Sequence, residues 1–160
     1  AAAFAAGRTL LIAGNGGSAA DAQHMATELV VRLSSSFERE ALPAISLSTD
    51  SSLITACAND YGYDRIFSRQ VDAIGRSGDV FLGITTSGNS ENIIRAVNIA
   101  KKKGLLTAIL TGNTGGQIHG AADFEVLVPS DVTAHIQECH ITAAHILCDI
   151  IERCYCGKGC

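Results

Sequence analysis

The chain has 160 residues, 47% of them hydrophobic and 18% charged, with a formal net charge of −4. That length suits a single domain with a buried core, and the composition excludes a disordered chain. The acidic balance leaves no basic footprint for nucleic acid. No apolar run approaches the ~20 residues of a membrane span and no signal-peptide pattern opens the sequence, so the expected location is the cytoplasm.

Residues 1–7 are helix-prone but short, and read as the end of a longer helix. The apolar run Thr9-Leu10-Leu11-Ile12-Ala13 is too short for an amphipathic helix and predicts the first strand. Gly14-Asn15-Gly16-Gly17-Ser18 follows, where glycines permit a tight turn and close approach to a ligand. Ser18 is expected to cap a helix over about residues 18–33, whose first turn offers N–H groups to an anion. On that helix His24 and Glu28 share a face. Residues 34–40 read as a surface loop and 43–47 as the second strand. Ser48-Thr49-Asp50-Ser51 then leads into a short helix that Asn59-Asp60-Tyr61-Gly62 is expected to break. Ile66, Phe67, Gln70, Val71 and Ile74 recur at helical spacing up to Gly75.

Residues 79–84 predict the third strand, followed by Thr85-Thr86-Ser87-Gly88-Asn89-Ser90 and a helix over 91–103 stopped by Gly104. Residues 105–110 and 124–128 predict the fourth and fifth strands, with a glycine-rich loop after the fourth. A long helix over about 133–154 closes the chain. This alternation predicts an α/β fold: one domain over 1–160, a three-layer doubly wound sandwich on a five-stranded parallel sheet. Ligands in such sheets sit at the carboxyl ends of the strands.

Of the six cysteines, Cys57, Cys139 and Cys148 are expected to be buried small hydrophobes. Cys154, Cys156 and Cys160 match no common zinc spacing and read as incidental thiols on a frayed end.

The strongest anion site is the stretch 85–90. Thr85, Thr86, Ser87 and Ser90 supply four hydroxyls beside the free N–H groups of a helix start, more than capping requires. Gly14-x-Gly16-x-x-Ala19 also fits a loose dinucleotide fingerprint. Its acidic residue should come about 20 residues on, whereas Asp50 comes 36 after Gly14. No Walker A lysine follows either loop. On the last helix Gln137 and His145, eight apart, edge one pocket, while His140 lies off that line and suits a core or interface role. Two histidines, a glutamate and an amide (His24, His145, Glu28, Gln137) are a donor set for a borderline metal such as zinc, which the residues alone leave optional.

Five motifs occur in order: Gly14-Asn15-Gly16-Gly17-Ser18-Ala19-Ala20-Asp21-Ala22-Gln23-His24, Ala58-Asn59-Asp60-Tyr61-Gly62, Phe67-Ser68-Arg69-Gln70, Thr86-Ser87-Gly88-Asn89-Ser90 and Ile136-Gln137-Glu138-x-His140. Together they resemble the sugar-isomerase, or SIS, family, and within it the branch acting on sedoheptulose 7-phosphate. The resemblance spans about residues 8–152. It implies an aldose–ketose isomerase working through an enediolate and feeding bacterial surface heptose synthesis. It further implies a homotetramer with sites shared between subunits and one zinc per site.

By that resemblance Thr85, Thr86, Ser87, Ser90 and Ser18 hold the sugar phosphate, with Asn15 and Gly16 in the neighbouring loop. Asn59 and Asp60 lie near the sugar hydroxyls. His24, Glu28, Gln137 and His145 match the zinc and catalytic positions, with Gln137 also touching substrate. Glu28 and His145 form the acid–base pair, since a free carboxylate is ionised near neutrality and a free imidazole titrates close to it. Three features depart from the pattern: a nearly absent N-terminal helix, Thr85 in place of serine, and His135 in place of arginine. Two alternatives share the fold: a non-catalytic paralogue that binds the replication initiator, and an isomerase or sensor for another sugar phosphate. The retention of Glu28 and His145 favours an enzyme over the first.

Overall fold

The structure is a computed structural model describing residues 1–36 and 38–157. Cys160, counted above among the terminal thiols, and Phe37 of the expected surface loop lie outside the described residues. Five strands form one all-parallel sheet: β1 (Leu10–Gly14), β2 (Ala44–Ser46), β3 (Val80–Thr85), β4 (Leu106–Gly112) and β5 (Phe124–Val128), in the order β2-β1-β3-β4-β5. The register pairs Leu10 with Val80 and Val80 with Leu106, so the three central strands begin level. Strand order reverses between β1 and β3, which puts the switch point between the two small-residue loops singled out above.

Side chains alternate across the sheet, and both faces are covered. Leu11, Ala13, Phe81 and Ile109 pack against α3 (Ser51–Tyr61), α4 (Ile66–Ile74) and α5 (Glu91–Lys102). Leu10, Ile12, Leu82, Ile84 and Leu110 pack on the other side against α2 (Gly17–Val30), α6 (Thr133–Tyr155) and Phe4 of the short α1 (Ala2–Ala5). This is the expected three-layer sandwich.

Several boundaries differ from the sequence reading. Helix α2 stops at Val30, not near 33, and its last carbonyls turn to Arg39: Nη2 donates to Glu28 O and Nη1 to Leu29 O, both at 2.8 Å. Ser18 is not its cap. Gly16 holds that position without a side-chain bond, and Ser18 is buried in the first turn. Asp50 caps α3 by accepting from Leu53 N at 2.9 Å, and α3 runs through Asn59, Asp60 and Tyr61. Only Gly62 ends it, because φ is +96° there and a residue with Cβ rarely adopts that conformation. The loop after β4 leads to a single 3₁₀ turn, Gly116–Ile118. Cys57 and Cys148 are buried as expected, but Cys139 is exposed on α6. Cys154 lies inside the last turn of α6 and is disulfide-bonded, so it is not a loose thiol on a frayed end.

Phe81 sits on the central strand at 0% exposure. Phe81→Ala is expected to lower the unfolding free energy by about 3–5 kcal/mol through lost burial and the cavity left behind, read from the urea midpoint with an unchanged slope.

Candidate active site

Two helices of one layer, α2 and α6, bring the candidate chemistry together. Ala22, Met25 and Leu29 of α2 and Ala144 and Cys148 of α6 belong to one buried cluster, in which the small Ala22, Ala144 and Cys148 let the helices approach. At the edge of that seam His24 Nε2 lies 2.8 Å from His145 Nε2, with the rings 5.0 Å apart and nearly perpendicular at 78°. A nitrogen pair at this distance requires one ring to donate and the other to accept. Glu28 Oε1 is 3.4 Å from the same His24 nitrogen. Glu28, His24 and His145 are therefore one constellation within a single chain. The Glu28 side chain is 18% exposed and that of His24 44%, so the group borders solvent.

Gln137 stands eight residues before His145, at the opening of the same seam. Its side-chain amide fills the space that a Cβ on Gly17 would occupy, so glycine at 17 is what admits it. In kind, the four side chains fit a zinc ion: imidazole nitrogen, carboxylate and amide oxygen. As they stand they are not spread around an ion. The histidine nitrogens are at hydrogen-bond distance, below the roughly 3.3 Å that two ligands about 2.0–2.1 Å from a tetrahedral metal keep. No group of three or more His, Cys, Asp or Glu among the described residues is arranged to hold an ion.

Between these ends the seam carries an unusual polar pair. His140 is fully buried, with Nε2 3.0 Å from Thr111 O and Nδ1 unpartnered; Asp21 Oδ2 is likewise buried without a partner. Burial lowers the His140 pKa, partly offset by the Thr111 bond and Asp21. Burial raises that of Asp21, against the pull of His140 and His24. His140 thus lies in the core as expected, though with one ring nitrogen left unsatisfied. Cys148 is pushed up to about 12 by burial and by the charges of Glu28 and Glu152, and so stays a thiol.

The second part of the site gathers at the sheet's switch point. Thr85 ends β3, buried, with Oγ1 3.0 Å from Ser90 Oγ; it supports the loop and does not face outward. Ser90 occupies the N-cap position of α5, its carbonyl accepting from Ile93 N and Ile94 N at 3.0 Å while its hydroxyl bonds no backbone N–H, so no side chain caps the helix start. Ser87 Oγ accepts from Asn89 N at 3.2 Å, and Asn89 Oδ1 accepts from Gln117 N at 3.0 Å. Gly88 has φ +67°, and a Cβ there would run into the Gly115 carbonyl. Thr86 and Ser87 open onto a cavity of ≈ 200 Å³ that Asn113, Thr114, Asp131, Thr133 and Ile136 complete. Ile136 belongs to α6, nine residues before His145, a separation of about 14 Å along the helix.

Asn15 does not point freely at a ligand. Its amide exchanges two 2.9 Å bonds with Asn92 of α5, and Tyr63 OH donates to its Oδ1 at 3.0 Å. This clasp ties the first loop to the helix behind the second. Sequence reasoning missed Asn92 and Tyr63, since an amide beside a helix cap carries no periodic signal. It also missed the buried Arg39–Glu152 pair, whose members are 113 residues apart.

Asn59 and Asp60 sit at the end of α3, shortly before Tyr63, whose hydroxyl bonds Asn15 of the first loop. They lie exposed on α3 in the opposite layer, bonded to each other at 2.8 Å. Asp60 also lines a cavity of ≈ 400 Å³ with Cys57, Tyr61, Arg69 and Gln70.

A family model described as SIS domain matches residues 1–112. The phosphoheptose isomerase of Leptospira biflexa is 58% identical over 144 residues, covering 90% of this chain and 74% of that protein. That of Pelodictyon phaeoclathratiforme is 55% identical, covering 94% and 72%. Among solved structures, a phosphoheptose isomerase from Francisella tularensis superposes with a TM-score of 0.90 at 42% identity, over 95% of this chain and 80% of that one. The phosphoheptose isomerase of Neisseria gonorrhoeae gives 0.84 at 45% identity, over 93% and 78%. On this likeness in sequence and in fold, the chain belongs to the SIS domain family.

Proposed function

We infer that this chain is an aldose–ketose isomerase converting sedoheptulose 7-phosphate to D-glycero-D-manno-heptose 7-phosphate. The observation that carries the reading is the convergence of Glu28, His24 and His145 on one seam, in a chain 58% identical to a phosphoheptose isomerase. The non-catalytic alternative is not favoured: a binding module has no use for a carboxylate and an imidazole aligned through a third residue.

The chemistry moves one proton from C1 of the ketose to C2, through an enediolate, and one from O1 to O2. In the proposed mechanism the phosphate rests on Thr86, Ser87, Ser90 and the N–H groups opening α5, where the helix dipole favours an anion. Thr85 supports that loop from beneath through its bond to Ser90, and Ser18 lies buried in the first turn of α2. Glu28 and His145 exchange the protons, one as base and one as acid. His24 Nε2 lies beside both, 2.8 Å from His145 Nε2 and 3.4 Å from Glu28 Oε1, and orients one of them at a time through the single hydrogen bond that this nitrogen makes. Gln137 orients the sugar's oxygens. Zinc would be held by His24, Glu28, Gln137 and His145, and when bound would polarise the carbonyl and stabilise developing negative charge.

The proposal extends to assembly. It comprises a homotetramer with shared sites, in which Asn59 and Asp60, exposed at the end of α3, lie near the sugar's hydroxyls. Ile146 and Ile150, 55% and 49% exposed on α6, offer apolar contact for such packing. No described helix is long and apolar enough to cross a membrane, in keeping with a proposed cytoplasmic role at the start of bacterial heptose synthesis.

Glu28→Gln is expected to reduce turnover of sedoheptulose 7-phosphate by at least 10²-fold with an unaltered circular dichroism spectrum, general acid–base groups contributing about 10²–10⁴. Near-normal turnover, followed by NMR, would remove Glu28 from the mechanism. Ser87→Ala is expected to raise KM severalfold with little change in kcat; an unchanged KM places the phosphate elsewhere. Dialysis against a chelator is expected to lower activity, with recovery on adding zinc and metal content measured by atomic absorption.

A further inference from the structure

We propose that the buried Arg39–Glu152 pair is a positioning device for the isomerisation, holding the Glu28 carboxylate opposite His145. The inference rests on the isomerase reading above. The two side chains are 2% and 0% exposed, far from the usual solvated ion pair. Glu152 lies seven residues beyond His145 on α6, two turns on the same face. Its carboxylate accepts from Leu33 N at 2.9 Å, Ser34 N at 3.2 Å, Arg39 Nε at 3.0 Å and Arg39 Nη2 at 2.9 Å.

The other edge of the guanidinium addresses α2. Nη2 donates to the backbone carbonyl of Glu28 itself and Nη1 to that of Leu29, each at 2.8 Å, and Nη1 also to Glu40 O at 3.0 Å. These carbonyls belong to the last turn of the helix, which has no intrahelical donors left for them. One planar cation thus bonds the peptide group of the proposed acid–base carboxylate and is locked by the helix that carries its partner. Lysine would keep the charge but cannot span both sides. A shift of about 1 Å between the reacting groups costs on the order of 10²-fold in rate, so loosening this brace reaches the chemistry without touching the phosphate loop.

The decisive variant is the double replacement Arg39→Met/Glu152→Leu, which removes both charges together and so leaves no orphaned ion in the core. Arg39→Lys is the milder companion. Both are assayed on folded protein, with kcat and KM for sedoheptulose 7-phosphate measured separately. The proposal expects kcat at least tenfold lower in each, KM within twofold of the parent, and shifted imidazole ¹⁵N signals of His24 and His145 in chelator-treated protein without substrate. Unchanged kcat and unchanged imidazole signals in either folded variant, whatever its melting temperature, would show that the pair only stabilises the fold and overturn the proposal. If the parent chain does not turn over this sugar, the isomerase reading fails by itself, and the imidazole signals still decide whether Arg39 positions the cluster.

Discussion

Everything chemical in this chain depends on the close apposition of α2 and α6 across one face of the sheet. The contact works because Ala22, Ala26 and Ala144 keep the seam narrow, while Met25 and Leu29 fill it. A narrow apolar seam brings polar groups on its edges within bonding distance, and three such groups, Glu28, His24 and His145, meet there. Larger residues in the seam would part the imidazoles without altering any of the residues proposed to do the chemistry. Packing and reactivity are therefore the same constraint seen at two levels.

The second constraint is set by the sheet. Reversal of strand order between β1 and β3 opens a crevice at their carboxyl ends, and both small-residue loops empty into it. The Asn15–Asn92 amide pair spans this crevice and fixes the two loops relative to one another. Helix α6 then links the crevice to the histidine cluster, since Ile136 lines the Thr86–Ser87 cavity and His145 lies further along the same rod. In the proposed reading, the anion loop and the proton-transfer pair are thus mounted on rigid elements joined by α6.

Much of this was legible in the sequence, for identifiable reasons. Strands such as residues 80–84 are uninterrupted apolar runs, and a parallel sheet buried on both faces demands that pattern. His24 and Glu28 could be paired because helical spacing is local. His145 was tied to them by family resemblance, whereas Gln137 and His145 share an edge by periodicity. What stayed hidden is long-range or satisfied inside the protein. Nothing in the spacing of Arg39 and Glu152 predicts that they meet. Ser18 looked like a cap because serine favours that position, yet Gly16 takes it with a backbone only glycine adopts easily. Asn59 and Asp60 looked like helix breakers, and instead complete α3, because the left-handed backbone that ends it falls only at Gly62.

The most direct measurement is a crystal structure of the assembled Glu28→Gln protein soaked with sedoheptulose 7-phosphate. The account predicts phosphate density against Thr86, Ser87 and Ser90, with C1 and C2 of the sugar lying between residue 28 and an imidazole of residue 145. Phosphate bound away from that loop, or a sugar whose carbonyl end lies out of reach of both side chains, would contradict it.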